Sequence, residues 1–341
     1  MSWNNAPKLN KLTAAQQGGN RGAQLWGVDI KGKLYTCYQG SPGGGWSDWG
    51  GVGWSDPKEP KAIYELAACQ NQPDGRVYFW ALDTKGEMWA RWQTSPGGNW
   101  SPWQHNYNRL IGGGKARKIA AVRAGGNQGQ VLFLITENGH LAHSYSNTKG
   151  DGWSAWADFP ETPEKSRFIE VAACEQKDGR SAVWALDEKR QLWGSGQETG
   201  GGKWGPWVGP NWLGAPKLRN ITAVEGMNGA IIVGQDENYH ITHNFQQGAG
   251  QNSWRGWTTP GQDFSPRSYE LTAAGQNNGK AQLWAITLGG TLTTVTQKEA
   301  NHWNPDWSDS DENSHLPPPP QPSDKVKEQQ QNRKPKPQPN A

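Results

Sequence analysis

The stretch Leu25-Trp26-Gly27-Val28-Asp29-Ile30-Lys31-Gly32-Lys33-Leu34-Tyr35 decides the reading of this chain, because five weaker copies follow at nearly constant intervals. With its tryptophan as register marker, the equivalent positions are Trp26, Trp80, Phe133, Trp184, Val233 and Trp284, spaced 54, 53, 51, 49 and 51 residues apart. Such a period is the signature of a repeat architecture. Eight residues past each marker stands an apolar residue: Leu34, Met88, Leu141, Leu192, Ile241 and Leu292. Upstream lies a shared block that runs from Leu12-Thr13-Ala14-Ala15 in the first repeat to Leu271-Thr272-Ala273-Ala274 in the last. Downstream each repeat closes on a tryptophan pair: Trp46 and Trp49, Trp100 and Trp103, Trp153 and Trp156, Trp204 and Trp207, Trp254 and Trp257, Trp303 and Trp307. The last pair is one residue wider.

The first repeat reads as four strands. Leu12 to Gln16 is short and made of small residues, which suits a crowded centre. Gln24 to Asp29 is apolar on both faces, so it needs a sheet packed above and another below. Lys31-Gly32 is a hairpin turn, Lys33 to Tyr38 the third strand, and Trp46 to Trp49 a short outer strand. Where the other copies have glycine in that turn, Arg190 and Tyr239 stand in repeats four and five, so those turns must bend without it.

The expected fold class is all-β: a six-bladed β-propeller of four-stranded blades over residues 1–308, with repeats at about 12–50, 66–104, 119–157, 171–208, 221–258 and 271–308. A lone four-stranded unit cannot bury both faces, whereas a ring lets every sheet cover its neighbour and protects the edges. A linear solenoid is the structural alternative. Each repeat starts with its innermost strand, so the ring is expected to close by packing without a shared strand, with Trp3 covering the seam. Residues 1–11 read as an irregular lead-in. Residues 309–341 form a Pro, Lys and Gln mixture, expected to be a disordered tail that offers an arm for a protein partner.

Composition narrows the function. The apolar fraction is 33%, while 22 tryptophans and 45 glycines far exceed ordinary usage, so a few large aromatics must supply much of the core. The net charge of +3 is fully accounted for by residues 324–341, which hold five basic and two acidic groups. A neutral body gives no support to nucleic-acid binding. Cys37, Cys69 and Cys174 are too few for a disulfide framework and read as small buried groups. No apolar run suggests a signal peptide or membrane insertion, so a cytoplasmic origin is expected, with non-classical release left open.

Aromatic rings stack on the apolar faces of pyranose sugars while nearby amides and hydroxyls satisfy the sugar's hydroxyls. The closing pairs Trp46 and Trp49, Trp100 and Trp103, Trp153 and Trp156, Trp204 and Trp207, and Trp254 and Trp257 are therefore candidate carbohydrate-binding residues. On an extended strand residues three apart face opposite ways, so one member of each pair is expected inward and the other in a cleft or solvent. A second candidate position, nine past the marker, keeps an aromatic in three copies: Tyr35, Trp89 and Trp193. Gln16, Gln70, Arg123, Glu175, Glu225 and Gly275 are expected at one mouth of the channel, where Glu175 and Glu225 would seat an enzyme alternative; no nucleophile and base recur beside them. His140, His143, His240 and His243 diverge along their strands, so no metal and no cofactor is expected. The aspartates Asp29, Asp83, Asp187 and Asp236 precede hairpin turns and fit side-chain bonds to the turn backbone.

The run of apolar strand, Asp-x-x-Gly turn, Leu-aromatic strand and Gly-x-Trp-Ser-x-Trp close resembles the tectonin and PLL-like lectin repeats of bacterial and fungal propeller lectins. Asp83-Thr84-Lys85-Gly86-Glu87-Met88-Trp89 followed by Gly98-Asn99-Trp100-Ser101-Pro102-Trp103 carries the resemblance best. It covers about residues 1–308 and implies a non-catalytic, multivalent lectin that binds fucosylated or O-methylated glycans between blades. Repeats five and six depart from it at Val233, Thr242 and Thr293. A protein-interaction scaffold working through the long connectors 50–62 and 105–115 stays open beside the lectin.

Overall fold

The structure, a computed structural model, describes residues 6–19, 21–51, 60, 62–71, 74–105, 115–126, 128–147, 149–150, 152–248, 253–258, 267–304 and 307–309. Trp3 and the tail beyond residue 309, to which two of the expectations above refer, lie outside them. Six antiparallel sheets follow one another along the chain, and every one is ordered from its first strand outwards. The first strands are Leu9–Gln16, Ile63–Gln70, Ala116–Arg123, Phe168–Glu175, Leu218–Glu225 and Ser268–Gly275. Each packs against the next, and Ser268–Gly275 returns to Leu9–Gln16, so the contacts run round a ring of six blades. Among the described residues no sheet mixes distant segments, and the first and last inner strands meet by packing.

The inner strands begin three residues earlier than the shared block suggested, so Leu9 to Lys11 belong to a strand and not to an irregular lead-in. The cause is a register shift at the same place in every blade, between Leu9 and Lys11 in the first and Ser268 and Glu270 in the last. A bulge there hides the start of the strand from any strict alternation of side chains.

The second strands, Ala23–Asp29, Val77–Asp83, Gln128–Thr136, Ser181–Asp187, Ala230–Asp236 and Ala281–Thr287, form the packed middle of each blade. Trp26, Trp80, Phe133, Trp184, Val233 and Trp284 are all essentially without solvent contact. Six apolar clusters result, each between two neighbouring blades: Trp26 and Val28 meet Phe79 and Ala81 of blade 2, while Leu25 and Cys37 meet Trp284 and Ile286 of blade 6. The two-sided burial read from the sequence is this alternation.

Two corrections concern the outer edge. Blades 1, 2, 3 and 6 have a strand just past the tryptophan pair, at Gly50–Gly51, Gln104–His105, Ala157–Asp158 and Ser308–Asp309, and blade 6 has a fifth strand, His302–Trp303, on the pair itself. Blades 4 and 5 are three-stranded among the described residues; their edge shrinks to a bridge between Gly194 and Val208 and to Thr258 N–H donating to His243 O.

The turns follow the predicted chemistry. Asp83 Oδ1 accepts the N–H groups of Lys85 and Glu87, and Asp29, Asp187 and Asp236 do the same in their blades. Arg190 and Tyr239 make the turn in the left-handed region, at φ 63° and 67°, a conformation that costs a residue with a Cβ on the order of 1 kcal/mol.

At the channel, the residue before each shared block gives a ring of polar groups. Lys11 pairs with Glu65 at 3.6 Å and with Glu270 at 3.1 Å; Lys118 pairs with Glu65 at 2.9 Å and Glu170 at 2.8 Å; Asn220 Nδ2 donates to Glu270 at 3.2 Å. All of these groups except Lys118 line a cavity of about 100 Å³ bounded by all six inner strands. The Lys11 to Glu270 contact joins the first blade to the last. Tyr269, whose hydroxyl donates to Leu9 O at 2.7 Å, and Asn277, whose amide donates to Arg21 O at 2.6 Å, strengthen the same seam.

Candidate functional site

The tryptophan pairs sit differently from the expectation that their members face opposite ways. Both members of a pair lie in the same interface, against the preceding blade: Trp46 and Trp49 against blade 6, Trp100 and Trp103 against blade 1, Trp153 and Trp156 against blade 2, Trp204 and Trp207 against blade 3, Trp254 and Trp257 against blade 4. The reason is that the segment between them is not a continuous strand. The first tryptophan makes a single bridge, as Trp100 does with Gln93, and the serine that follows pulls the chain in. Ser101 Oγ accepts Trp92 N–H at 3.1 Å and donates to Pro102 O, and Ser47 repeats this in blade 1.

The first tryptophan of five of the six pairs stands edge-on to the marker ring of the preceding blade; Trp303 faces Val233, which has no ring. Centroid distances are 5.9 Å for Trp100 and Trp26, 5.8 Å for Trp153 and Trp80, 5.4 Å for Trp204 and Phe133, 5.8 Å for Trp254 and Trp184, and 5.7 Å for Trp46 and Trp284. These indoles join blade to blade and remain half-buried. The second tryptophans are covered more deeply where Trp103 meets Phe79 and where Trp207 meets Phe159 and Phe168.

At the second candidate position the aromatic turns its polar end to the turn aspartate. Trp89 Nε1 donates to Asp83 Oδ2 at 3.1 Å, Trp193 Nε1 to Asp187 Oδ2 at 3.0 Å, and the Tyr35 hydroxyl reaches Asp29 Oδ2 at 3.4 Å. Tyr35 and Trp89 keep some exposure, whereas Trp193 is 1% exposed and lies against the bare Gly209. Trp193 offers no ring face to a ligand.

By strand alternation, the residues that share the marker's face also face the next blade. Six clefts of identical plan result, with different linings. Between blades 1 and 2, Trp100 packs on Trp26, whose face of blade 1 also carries the buried Gln24 and, paired with these across the strands, Thr36 and the 42% exposed Tyr38. Gln24 Nε2 donates to Thr36 Oγ1 at 3.0 Å and Thr36 donates to Leu25 O at 2.9 Å. Arg21 lies 5.8 Å over Tyr38, and Arg91 5.6 Å over Trp100. Between blades 6 and 1, Trp46 packs on Trp284, whose face carries an equivalent but buried pair, with Gln282 Nε2 donating to Thr294 Oγ1 at 2.9 Å and Thr294 to Leu283 O at 2.8 Å.

The chain's own rings occupy the other clefts. Tyr78 stacks at 5.8 Å on Trp92 between blades 2 and 3. Phe159 packs on Phe133, His143 and Trp204 between blades 3 and 4. Trp212 meets Trp184 and Trp254 between blades 4 and 5. His243 packs on Phe245 between blades 5 and 6; burial, aided by Arg255 and His302, pushes its imidazole down to about 3, so it stays neutral there.

Gln16, Gln70, Arg123, Glu175, Glu225 and Gly275 do gather at one mouth of the channel. Arg123 is hydrogen-bonded to Glu175 and lies 3.4 Å from Glu225, which Lys177 approaches to 2.8 Å. The acids are thus tied into ion pairs. Burial first, then the neighbouring Glu225, raises the Glu175 carboxyl, against the pull of Arg123. Among the described residues no group of three or more His, Cys, Asp or Glu is placed to hold a metal ion, and no helix is long and apolar enough to cross a membrane.

Three features escaped the sequence reading. The Lys11, Glu65, Lys118, Glu170, Asn220 and Glu270 ring was signalled by the near-alternation of base and acid just before each shared block. The glutamine thirteen past the marker recurs in five repeats, and its side-chain oxygen accepts a backbone N–H: Gln39 from Ala23, Gln93 from Val77 and Gln197 from Ser181. The connector aromatics Phe159 and Trp212 lie at unequal spacings and gave no periodic signal.

The sequence matches no protein-family model and no curated protein. Several solved structures share its architecture. AofleA from Arthrobotrys oligospora superposes with a TM-score of 0.62 at 14% identity, over 88% of this chain and 86% of that one. A fungal lectin from Aleuria aurantia, described with a six-bladed β-propeller fold and a fucose recognition mode, gives 0.59 at 15% identity over 88% and 96%. The BP39L lectin from Burkholderia pseudomallei gives 0.59 at 18% identity over 88% and 85%. At such identities the likeness is one of fold, and with the ring of contacts above it makes this chain a six-bladed β-propeller.

Proposed function

We propose that the protein is a non-catalytic, multivalent carbohydrate-binding lectin, with its sugars seated in clefts between adjacent blades. The observation that carries this reading is the repetition, in the clefts between blades 1 and 2 and between blades 6 and 1, of a half-buried indole beside an amide and hydroxyl pair. An indole offers a flat apolar surface to a pyranose, and the Gln24 and Thr36 or Gln282 and Thr294 groups, largely buried and bonded to each other, would turn from those bonds to its hydroxyls. The fold supports the same reading, since the Aleuria aurantia and SapL1 lectins have been seen with α-methyl fucoside. We take α-fucosides as the leading ligand class, in line with the tectonin-like repeat pattern.

One shallow cleft gives weak binding; two on one chain, engaging a clustered glycan surface, raise avidity by about 10²- to 10⁴-fold. The test is a glycan array with the intact chain, including fucosylated and O-methylated sugars, followed by fluorescence titration of each hit. A saturable hit that weakens at least tenfold in Gln24→Ala and Trp100→Ala, both still folded, is the expected result. Silence across the array rules the reading out for those sugars.

A further inference from the structure

The cleft between blades 4 and 5 holds an indole that the repeat pattern does not supply. Trp212 comes from the connector after Trp207, and its ring lies edge-on to Trp254 at 4.7 Å and to Trp184 at 5.8 Å. Room for it exists because Gly194 stands where the other blades have Thr36, Ala90, His143, His243 and Thr294. A Cβ at Gly194 would come within 2.7 Å of Trp212 Nε1. Trp254 is the counterpart of Trp100 and Trp46, which wall the two clefts assigned to sugar, so Trp212 sits beside the indole that a sugar would use. Phe159 of the preceding connector enters its cleft in the same manner, against Trp204.

The segment that delivers Trp212 is loaded against staying put. Asn211 and Leu213, flanking the ring, both hold left-handed backbone, at φ 59° and 51°; asparagine tolerates it, whereas leucine adopts it at a cost. Leu213 and Val208 are left 47% and 55% exposed while Trp212 is buried. Its backbone is tied by the Trp257 indole, which donates to Trp212 O at 3.3 Å, and by a turn bond from Ala215 N–H at 3.1 Å. An indole and a pyranose are rings of comparable breadth, and a pyranose presents an apolar C–H face to an aromatic wall, so the seat under Trp212 fits a sugar ring once the loop moves out.

We propose that the 4–5 cleft is a latent carbohydrate site closed by Trp212 as a displaceable internal occupant. This rests on the lectin reading above. The resting protein then binds sugar at fewer places than it has clefts, and a polyvalent surface that drives Trp212 out gains a further attachment point.

The test uses the intact chain and α-methyl-L-fucoside as probe, with calorimetric stoichiometry as the readout. Trp212→Ala should take up one more equivalent than the wild type, and the added Trp254→Ala should remove that equivalent again. In the wild type, a fucosylated polymer, but not the monovalent probe, should raise hydrogen exchange in residues 208–215. A folded Trp212→Ala with wild-type stoichiometry overturns the proposal while leaving the lectin reading intact. Should Trp212→Ala not fold, Trp212→Leu takes its place, and loss of cooperative folding there too makes Trp212 purely structural and overturns the proposal. If the wild type and variants alike take up no probe, the fucoside reading and this inference fall together.

Discussion

At the level of single residues, the marker tryptophans and the turn aspartates hold most of the local structure. Trp184 is buried beneath Trp212 and Trp254, so Trp184→Ala opens a cavity between two blades; a cost of about 3–5 kcal/mol is expected, read from denaturant unfolding. Asp187 accepts two backbone N–H groups and the Trp193 indole. Asp187→Ala leaves the buried Trp193 N–H without its acceptor and should cost about 1–3 kcal/mol, whereas Asp187→Asn keeps an acceptor oxygen and should cost less. A thermal melt that ranks the two substitutions in the opposite order would contradict the role assigned to the carboxylate.

Strands and their ring contacts carry the next level, and here the seam is sensitive to pH. Burial raises the Glu270 carboxyl to about 7, against the pull of Lys11 and Lys118. Its folded form therefore holds a proton that the unfolded chain has already released above about pH 4.5, so this group's contribution falls as pH rises from there to about 7. Glu65 is shifted the other way: burial is outweighed by Lys11 and Lys118, and its contribution is present above the unfolded value and lost as pH falls through the lowered folded one. Glu270→Gln should flatten the decline in melting temperature between pH 5 and 7.5. Asn220→Lys, which completes the alternation of acid and base, should lower the Glu270 carboxyl and stabilise the ring at pH 7.5. A melting profile unchanged in both variants would remove Glu270 from the pH response.

How far the elements were legible follows from the same physics. Six repeats, the buried second strands and the aspartate turns were legible because Trp, Leu and Asp must recur at fixed offsets for every blade to pack alike. The early start of the inner strands was masked by the bulge near Lys11 and its counterparts. The orientation of the tryptophan pairs was misjudged because Ser47 and Ser101 break the strand between the two rings. The clefts themselves needed three dimensions: Gln24, Thr36 and Trp100 lie 12 and 76 residues apart in sequence, counted from Gln24. Nothing in the spacing announces that Trp212 fills a seat that Trp46 and Trp100 leave to other partners.

As a whole molecule, the propeller is a closed ring with equivalent frames and unequal clefts. Its function as proposed resides in residues 6–309, so removal of residues 310–341 should leave the affinity for a monovalent sugar within about twofold of the intact chain, read by the same titration. A tenfold loss would assign the tail a direct part in binding. The central claim is that sugar binds between blades, beside Trp100 and Trp46, and not in the channel. A crystal structure of the intact chain soaked in α-methyl-L-fucoside tests it most directly. The account predicts sugar density against Trp100 with Gln24, Thr36 and Tyr38, and against Trp46 with Gln282 and Thr294; density confined to the channel between Glu175 and Glu225, or none at saturating sugar, would contradict it.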